Sequence, residues 1–174
     1  MVFQKIQFID RRMIVIYSIE SILLTGAWIS CFFALFFIPR KKLDRAAFIF
    51  LTTQFFSWIL GLIVVQYGWL EYPVREFSKA NATSFLFEFL MLPIIVIYFI
   101  LNYPNHKQFK VRILYFAAII SAFTLIEFII ERYTMIIKYH AWKWYWTWIS
   151  MSLVIYMVMV IYKWFYKQKR IFSI

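Results

Sequence analysis

Three glutamates, Glu20, Glu88 and Glu127, stand inside long apolar runs. A charged carboxylate at mid-bilayer costs about 2.5 to 3.5 kcal/mol by insertion scales. Each must therefore face the interior of a bundle, ionise only beside a partner, or keep its proton. Such groups hold protons, cations or hydrogen-bond donors, which makes these three the first candidates for chemistry. Near the same end of the apolar runs come Glu131, Arg132 and His140, with Glu71, Arg75, Glu76 and Lys138. Glu127 and Glu131 are one helical turn apart, and Arg132 or Arg75 is placed to pair with either. The set reads either as a salt-bridged rim or as a polar pocket open to the outside.

Pro93 follows Glu88 by about one turn. It removes the donor that the Phe89 carbonyl would use, which predicts a bend. A carbonyl freed beside a carboxylate accepts a proton, a cation or a neighbouring side chain. A second unusual stretch, HAWKWYWTW, repeats tryptophan at every other position: Trp142, Trp144, Trp146 and Trp148. At the mouth of an apolar segment these read first as an interfacial aromatic belt. On a helix, Trp142 and Trp146 would face away from Trp144 and Trp148, so a shared stacking face needs an extended chain.

The elements that must hold these residues are membrane helices. Hydrophobic residues make up 64% of the chain and charged residues 16%, against about 25% charged in ordinary globular chains. The apolar runs reach the roughly 18 residues of a membrane span. Five spans are expected, near 13–38, 46–70, 83–101, 113–130 and 145–165, in one all-α transmembrane bundle with short loops covering residues 1–174. The start reads as an uncleaved span, not a signal peptide, because the apolar run continues to Ile38 and contains Glu20. One cysteine, Cys31, leaves no intramolecular disulfide, and with His106 and His140 it makes no metal-ligand spacing, so neither metal nor cofactor is expected.

Helical phase, at about 100° per residue, predicts which faces meet. Glu20, Ala27, Cys31 and Ala34 align on the first span. Ala47, Gln54, Ser57, Gly61 and Gly68 align on the second. The third carries Ser84, Glu88, Met91, Ile95 and Tyr98, and the fourth Ala117, Ser121, Thr124, Glu127 and Glu131. Small residues permit close approach and polar ones bond across it, so these stripes are the expected core. All three glutamates fall in the same leaflet.

Lysine and arginine in the short loops orient the bundle. One side takes eleven: Arg40, Lys41, Lys42, Arg45, Lys107, Lys110, Arg112, Lys163, Lys167, Lys169 and Arg170. The other takes eight: Lys5, Arg11, Arg12, Arg75, Lys79, Arg132, Lys138 and Lys143. The N-terminus is expected outside and the C-terminus in the cytoplasm. The net charge of +11 then meets anionic lipid headgroups, with Arg40, Lys41, Lys42, Lys167, Lys169 and Arg170 as the contacts. Nucleic acid is not expected, because the aromatics lie in the spans and not along a basic groove. A membrane-protein partner or a second copy of the chain remains open.

Residues Glu127 to Tyr133 (EFIIERY), Lys138 to Tyr145 with Thr147, and Glu88 to Pro93 (EFLMLP) resemble an uncharacterised family of small multi-pass membrane proteins from spore-forming bacteria. The likeness spans most of the chain and implies a fold but no activity. With the Lys/Ile/Phe-rich composition it points to a bacterial cytoplasmic membrane. Three functions stay in play: a non-enzymatic subunit, scaffold or outward-facing sensor; a small proton- or cation-linked transporter or channel component using Glu88 and Glu127; and an enzyme on lipid or cell-wall precursors, with a glutamate as base and His140 or Arg132 holding phosphate. No nucleotide motif or nucleophile constellation marks an enzyme.

Overall fold

The computed structural model of the protein describes the backbone of residues 2–171 and the side chains of residues 19–167. The side chains of Lys5, Arg11, Arg12, Lys169 and Arg170 lie outside the described residues. The order is α1 (Val2–Phe36), a 3-10 turn (Arg40–Lys42), α2 (Leu43–Gln66), β1 (Leu70–Glu71), a π-turn (Leu86–Met91), α3 (Leu92–Leu101), α4 (Phe109–Tyr133), β2 (Lys138–Tyr139) and α5 (Trp144–Ile171). The fold is an all-α membrane bundle. Among the described residues four segments are long and apolar enough to cross a bilayer: Ile19–Phe36, Arg40–Gln66, Phe109–Tyr133 and Trp144–Lys167.

The expected third span differs. Thr83 and Ser84 precede the helix, and the π-turn and α3 together reach about 24 Å, short of a hydrocarbon core of about 30 Å. This short element is the most enclosed one: Leu92, Pro93, Ile94, Val96, Ile97, Phe99 and Ile100 are all buried. It needs no lipid-facing stripe because its neighbours wrap it. Leu86, Leu90 and Ile94 pack with Cys31 of α1. Val96, Ile97 and Ile100 pack with Ile49 of α2, Ile120 of α4 and Ile155 and Val158 of α5. The second span ends earlier than expected, at Gln66, because Gly68 turns the chain at φ +65.

Immediately before Pro93 the helix widens, with the Leu92 N–H bonding back to the Phe87 carbonyl five residues earlier. Gln54 Nε2 of α2 donates to the freed Phe89 carbonyl at 2.8 Å, and Ser57 Oγ donates to the Glu88 carbonyl at 2.8 Å. Hydrocarbon offers no water to such carbonyls, so a neighbouring helix must supply the donors. Gln54 and Ser57 come from the stripe predicted for α2, although Ala47 of that stripe is exposed and Ala46 is buried in its place. On α1 the predicted Glu20 and Cys31 are both buried.

At one end β1 pairs antiparallel with β2, Leu70 opposite Tyr139 and Glu71 opposite Lys138. The N–H groups of His140, Ala141 and Trp142 all converge on the Trp69 carbonyl. At the other end Lys41 (the 3-10 turn), Arg45 (start of α2), Tyr103 and His106 (α3–α4 link), and Lys163 and Lys167 (α5) line one groove. The loops and tail sorted together by charge thus share an end of the bundle. Replacing Gln54 by Leu keeps the volume but leaves the Phe89 carbonyl unpaired, and a loss of about 1 to 3 kcal/mol is expected. Reversible unfolding in mixed detergent micelles measures it, and Leu51→Val at an exposed position of α2 serves as the control.

Candidate functional site

Two of the three intramembrane glutamates meet at one cavity. A hollow of about 270 Å³ lies between α2, the π-turn, α4 and α5, and both Glu88 and Glu127 line it. Ser57 and Gly61 form part of its α2 wall; Trp69 and Tyr72 enter from the α2–α3 link, and Trp142, Trp146 and Thr147 from the start of α5. Among the described residues no lysine, arginine or histidine lines it.

Glu88 is 3% exposed, and its Oε2 has no hydrogen-bond partner. The space for its carboxylate is made by Gly61, where an added Cβ would overlap the carboxylate. Glu127, also buried, is held differently. Its Oε1 accepts hydrogen bonds from the Tyr139 hydroxyl and from Thr147 Oγ1, the latter at 2.7 Å. Thr147 in turn accepts from the indole Nε1 of Trp142 at 2.8 Å. Tyr139 and Thr147 spend their single protons on Glu127, so their own 3.4 Å approach carries no further bond. Donors from β2 and α5 therefore converge on one carboxylate of α4, and Trp142 at the α5 entrance supports it through Thr147. Burial, reinforced by the charges of Glu88 and Glu127, pushes the Tyr72 hydroxyl well above the usual tyrosine value. Burial and Glu127 push Tyr139 up likewise, so both hydroxyls keep their protons.

The structure does not bring the remaining candidates to this cavity. Glu20, 1% exposed, accepts through Oε1 from the backbone N–H of Met135 and ties α1 to the α4–β2 link. Among the described residues Arg75 pairs with no acid: it donates to the carbonyls of Tyr72, Ser78 and Asn81 and holds its own loop together. Arg132 is exposed, and Glu131 meets Lys138 only through its backbone carbonyl, at 2.9 Å. His140 Nε2 lies 3.3 Å from Glu71 Oε1, the one close contact between a basic and an acidic side chain among the described residues. The expected salt-bridged rim thus reduces to a single exposed contact.

The tryptophan row is not extended and not uniform. Trp144, Trp146 and Trp148 are on α5, with Trp144 54% and Trp146 46% exposed, as a belt requires. Trp142 departs from that expectation: at 9% exposure it stacks near Trp69 at 6.3 Å between ring centroids, because its indole N–H finds Thr147 inside. Trp148 bonds Ser121 across to α4 at 3.1 Å.

Sequence reasoning missed Tyr72, Tyr139 and Thr147. Thr147 was findable, since it shares a helical face with Met151, Val154 and Val158, all buried. Tyr72 and Tyr139 sit in links without a period to read. Family models, curated proteins and solved structures provide no match to the chain.

Two outcomes follow from this geometry. Gly61→Ala should destabilise by about 1 to 3 kcal/mol through overpacking, and Glu88→Ala in the same chain should relieve most of it; detergent unfolding of the two single variants and the double variant reads the relief. The raised tyrosines contribute stability that is fully present below the unfolded tyrosine value of about 10 and is lost as pH rises above it. Stability measured from pH 9 to 11 should therefore fall less steeply in Tyr72→Phe than in the parent protein.

Proposed function

We propose that the protein is a non-enzymatic subunit or sensor of a bacterial cytoplasmic membrane, with its N-terminus outside and a ligand cavity in the outer leaflet. The observation that carries this reading is the convergence of Glu88 and Glu127, from separate helices, on one partly open cavity. The wall around them is aromatic and aliphatic with few polar groups, the usual make-up of a small-molecule site. The orientation rests on the eleven-to-eight sorting of basic residues. The groove at the opposite end, with Lys41, Arg45, Lys163 and Lys167, suits the anionic headgroups of the inner leaflet. Membership of the spore-former family, resting on the stretches around Glu88, Glu127 and Tyr139, belongs to the same proposal.

A proton- or cation-linked transporter is the second reading, favoured by the two buried acids and the π-turn beside them, since such turns frequently mark functional sites. The packing between the cavity and the far end weighs against it. Ile49, Val96, Ile97, Ile120, Ile155 and Val158 are each at most 1% exposed and fill the bundle beyond the cavity. A transported ion would have to cross this aliphatic plug without a polar partner.

Proteoliposomes containing a trapped pH indicator separate the readings. The sensor reading predicts no protein-dependent proton or sodium-driven flux above that of empty vesicles. Flux that disappears in Glu88→Gln and Glu127→Gln would overturn it in favour of the transporter.

A further inference from the structure

We infer that the cavity between α2, the π-turn, α4 and α5 binds an alkylammonium group, as a free amphiphilic amine or as the amino headgroup of a lipid. The inference rests on the proposed ligand cavity and specifies its occupant. Two carboxylates line the space and, among the described residues, no basic side chain does, so none of those residues brings the complementary charge. Glu127 has donors for Oε1, but Glu88 Oε2 is buried with no partner. An unpaired buried carboxylate oxygen costs more than a satisfied one; an ammonium N–H supplies the missing bond, and a quaternary ammonium offsets the cost by charge attraction alone.

The walls choose the kind of cation. Trp69, Tyr72, Phe87, Trp142 and Trp146 surround the acids, and aromatic faces attract ammonium groups, strongly so when water is excluded. Magnesium and calcium take about six to eight oxygen ligands. Among the described residues no group of three histidine, cysteine, aspartate or glutamate side chains converges anywhere, so the site has too few oxygens for those ions. The aliphatic part of the wall, including Leu60, Val64 and Val154, suits a short alkyl substituent. At about 270 Å³ the cavity is at the lower edge of ligand-pocket sizes, large enough for a headgroup or small amine and too small for a whole lipid.

The test titrates the full-length protein, in a maltoside detergent free of amines, with hexyltrimethylammonium. Tryptophan fluorescence and calorimetry follow binding, and 1-hexanol serves as the uncharged comparison. Saturable ammonium binding is expected, weakened about tenfold or more in Glu88→Gln, with 1-hexanol binding at least tenfold weaker than the ammonium. Tyr67→Phe, outside the cavity, should bind as the parent does, and the melting temperature of each variant establishes that it is folded. Native mass spectrometry identifies the source: retained aminophospholipid that the ammonium displaces assigns a lipid headgroup, and lipid-free protein that binds the ammonium assigns a soluble amine. Equal binding of 1-hexanol and ammonium, insensitive to Glu88→Gln, would overturn the ammonium assignment and leave a ligand cavity standing. Absence of saturable binding by both probes would overturn the assignment and the ligand-cavity reading together.

Discussion

A proline in a membrane helix frees a carbonyl that hydrocarbon cannot hydrate, and the arrangement of this bundle follows from how that carbonyl is satisfied. Pro93 cannot donate to Phe89, and the chain before it widens into a π-turn. Gln54 and Ser57 then reach from α2 to the carbonyls of Phe89 and Glu88. These two bonds fix both the register and the closeness of α2 against α3. Gly61, two turns from Gln54 on the same face, consequently lies against the Glu88 side chain, where nothing larger than hydrogen fits. A backbone requirement thus delivers a carboxylate to a particular place at a particular depth.

The second carboxylate reaches the same space by a different route. Glu127 rides on α4, which packs only partly against the core, and its position is set by donors from the links. The β1–β2 pair brings Tyr139 beside Leu70, and three N–H groups converging on the Trp69 carbonyl turn the chain into α5. That turn carries Trp142 inward to bond Thr147, and Thr147 and Tyr139 both donate to Glu127. The far side of the cavity is closed by aliphatic side chains of all four surrounding helices. The space therefore holds two carboxylates and a few hydroxyls in an otherwise apolar wall, and is sealed toward the basic end of the bundle.

Much of this was legible in the residues, and the exceptions have a common cause. Inside helices a 3.6-residue period ties sequence to facing, so the inward phase of Glu20, Gln54, Ser57, Glu88 and Glu127 and the orphaned Phe89 carbonyl were readable. The short third helix was overextended because apolar composition marks burial by protein as well as by lipid, and α3 is enclosed by its neighbours. The facing of Trp142 was misjudged because interfacial preference describes tryptophan in general, whereas a single indole N–H partner decided this one. Arg75 looked like an ion-pair donor, yet loop carbonyls without other partners claimed it. Tyr72 and Tyr139 depend on where two links of the chain meet, and contacts far apart in sequence leave no local pattern.

The central claim is that Glu88 and Glu127 share one space, and a double-mutant cycle measures it most directly. Unfolding free energies of the parent, Glu88→Gln, Glu127→Gln and the double variant would be compared in the same lipid or detergent. Groups that face each other across a small cavity should show coupling of about 0.5 to 3 kcal/mol. Effects that add within about 0.3 to 0.5 kcal/mol would mean two unrelated packing residues and would contradict the account.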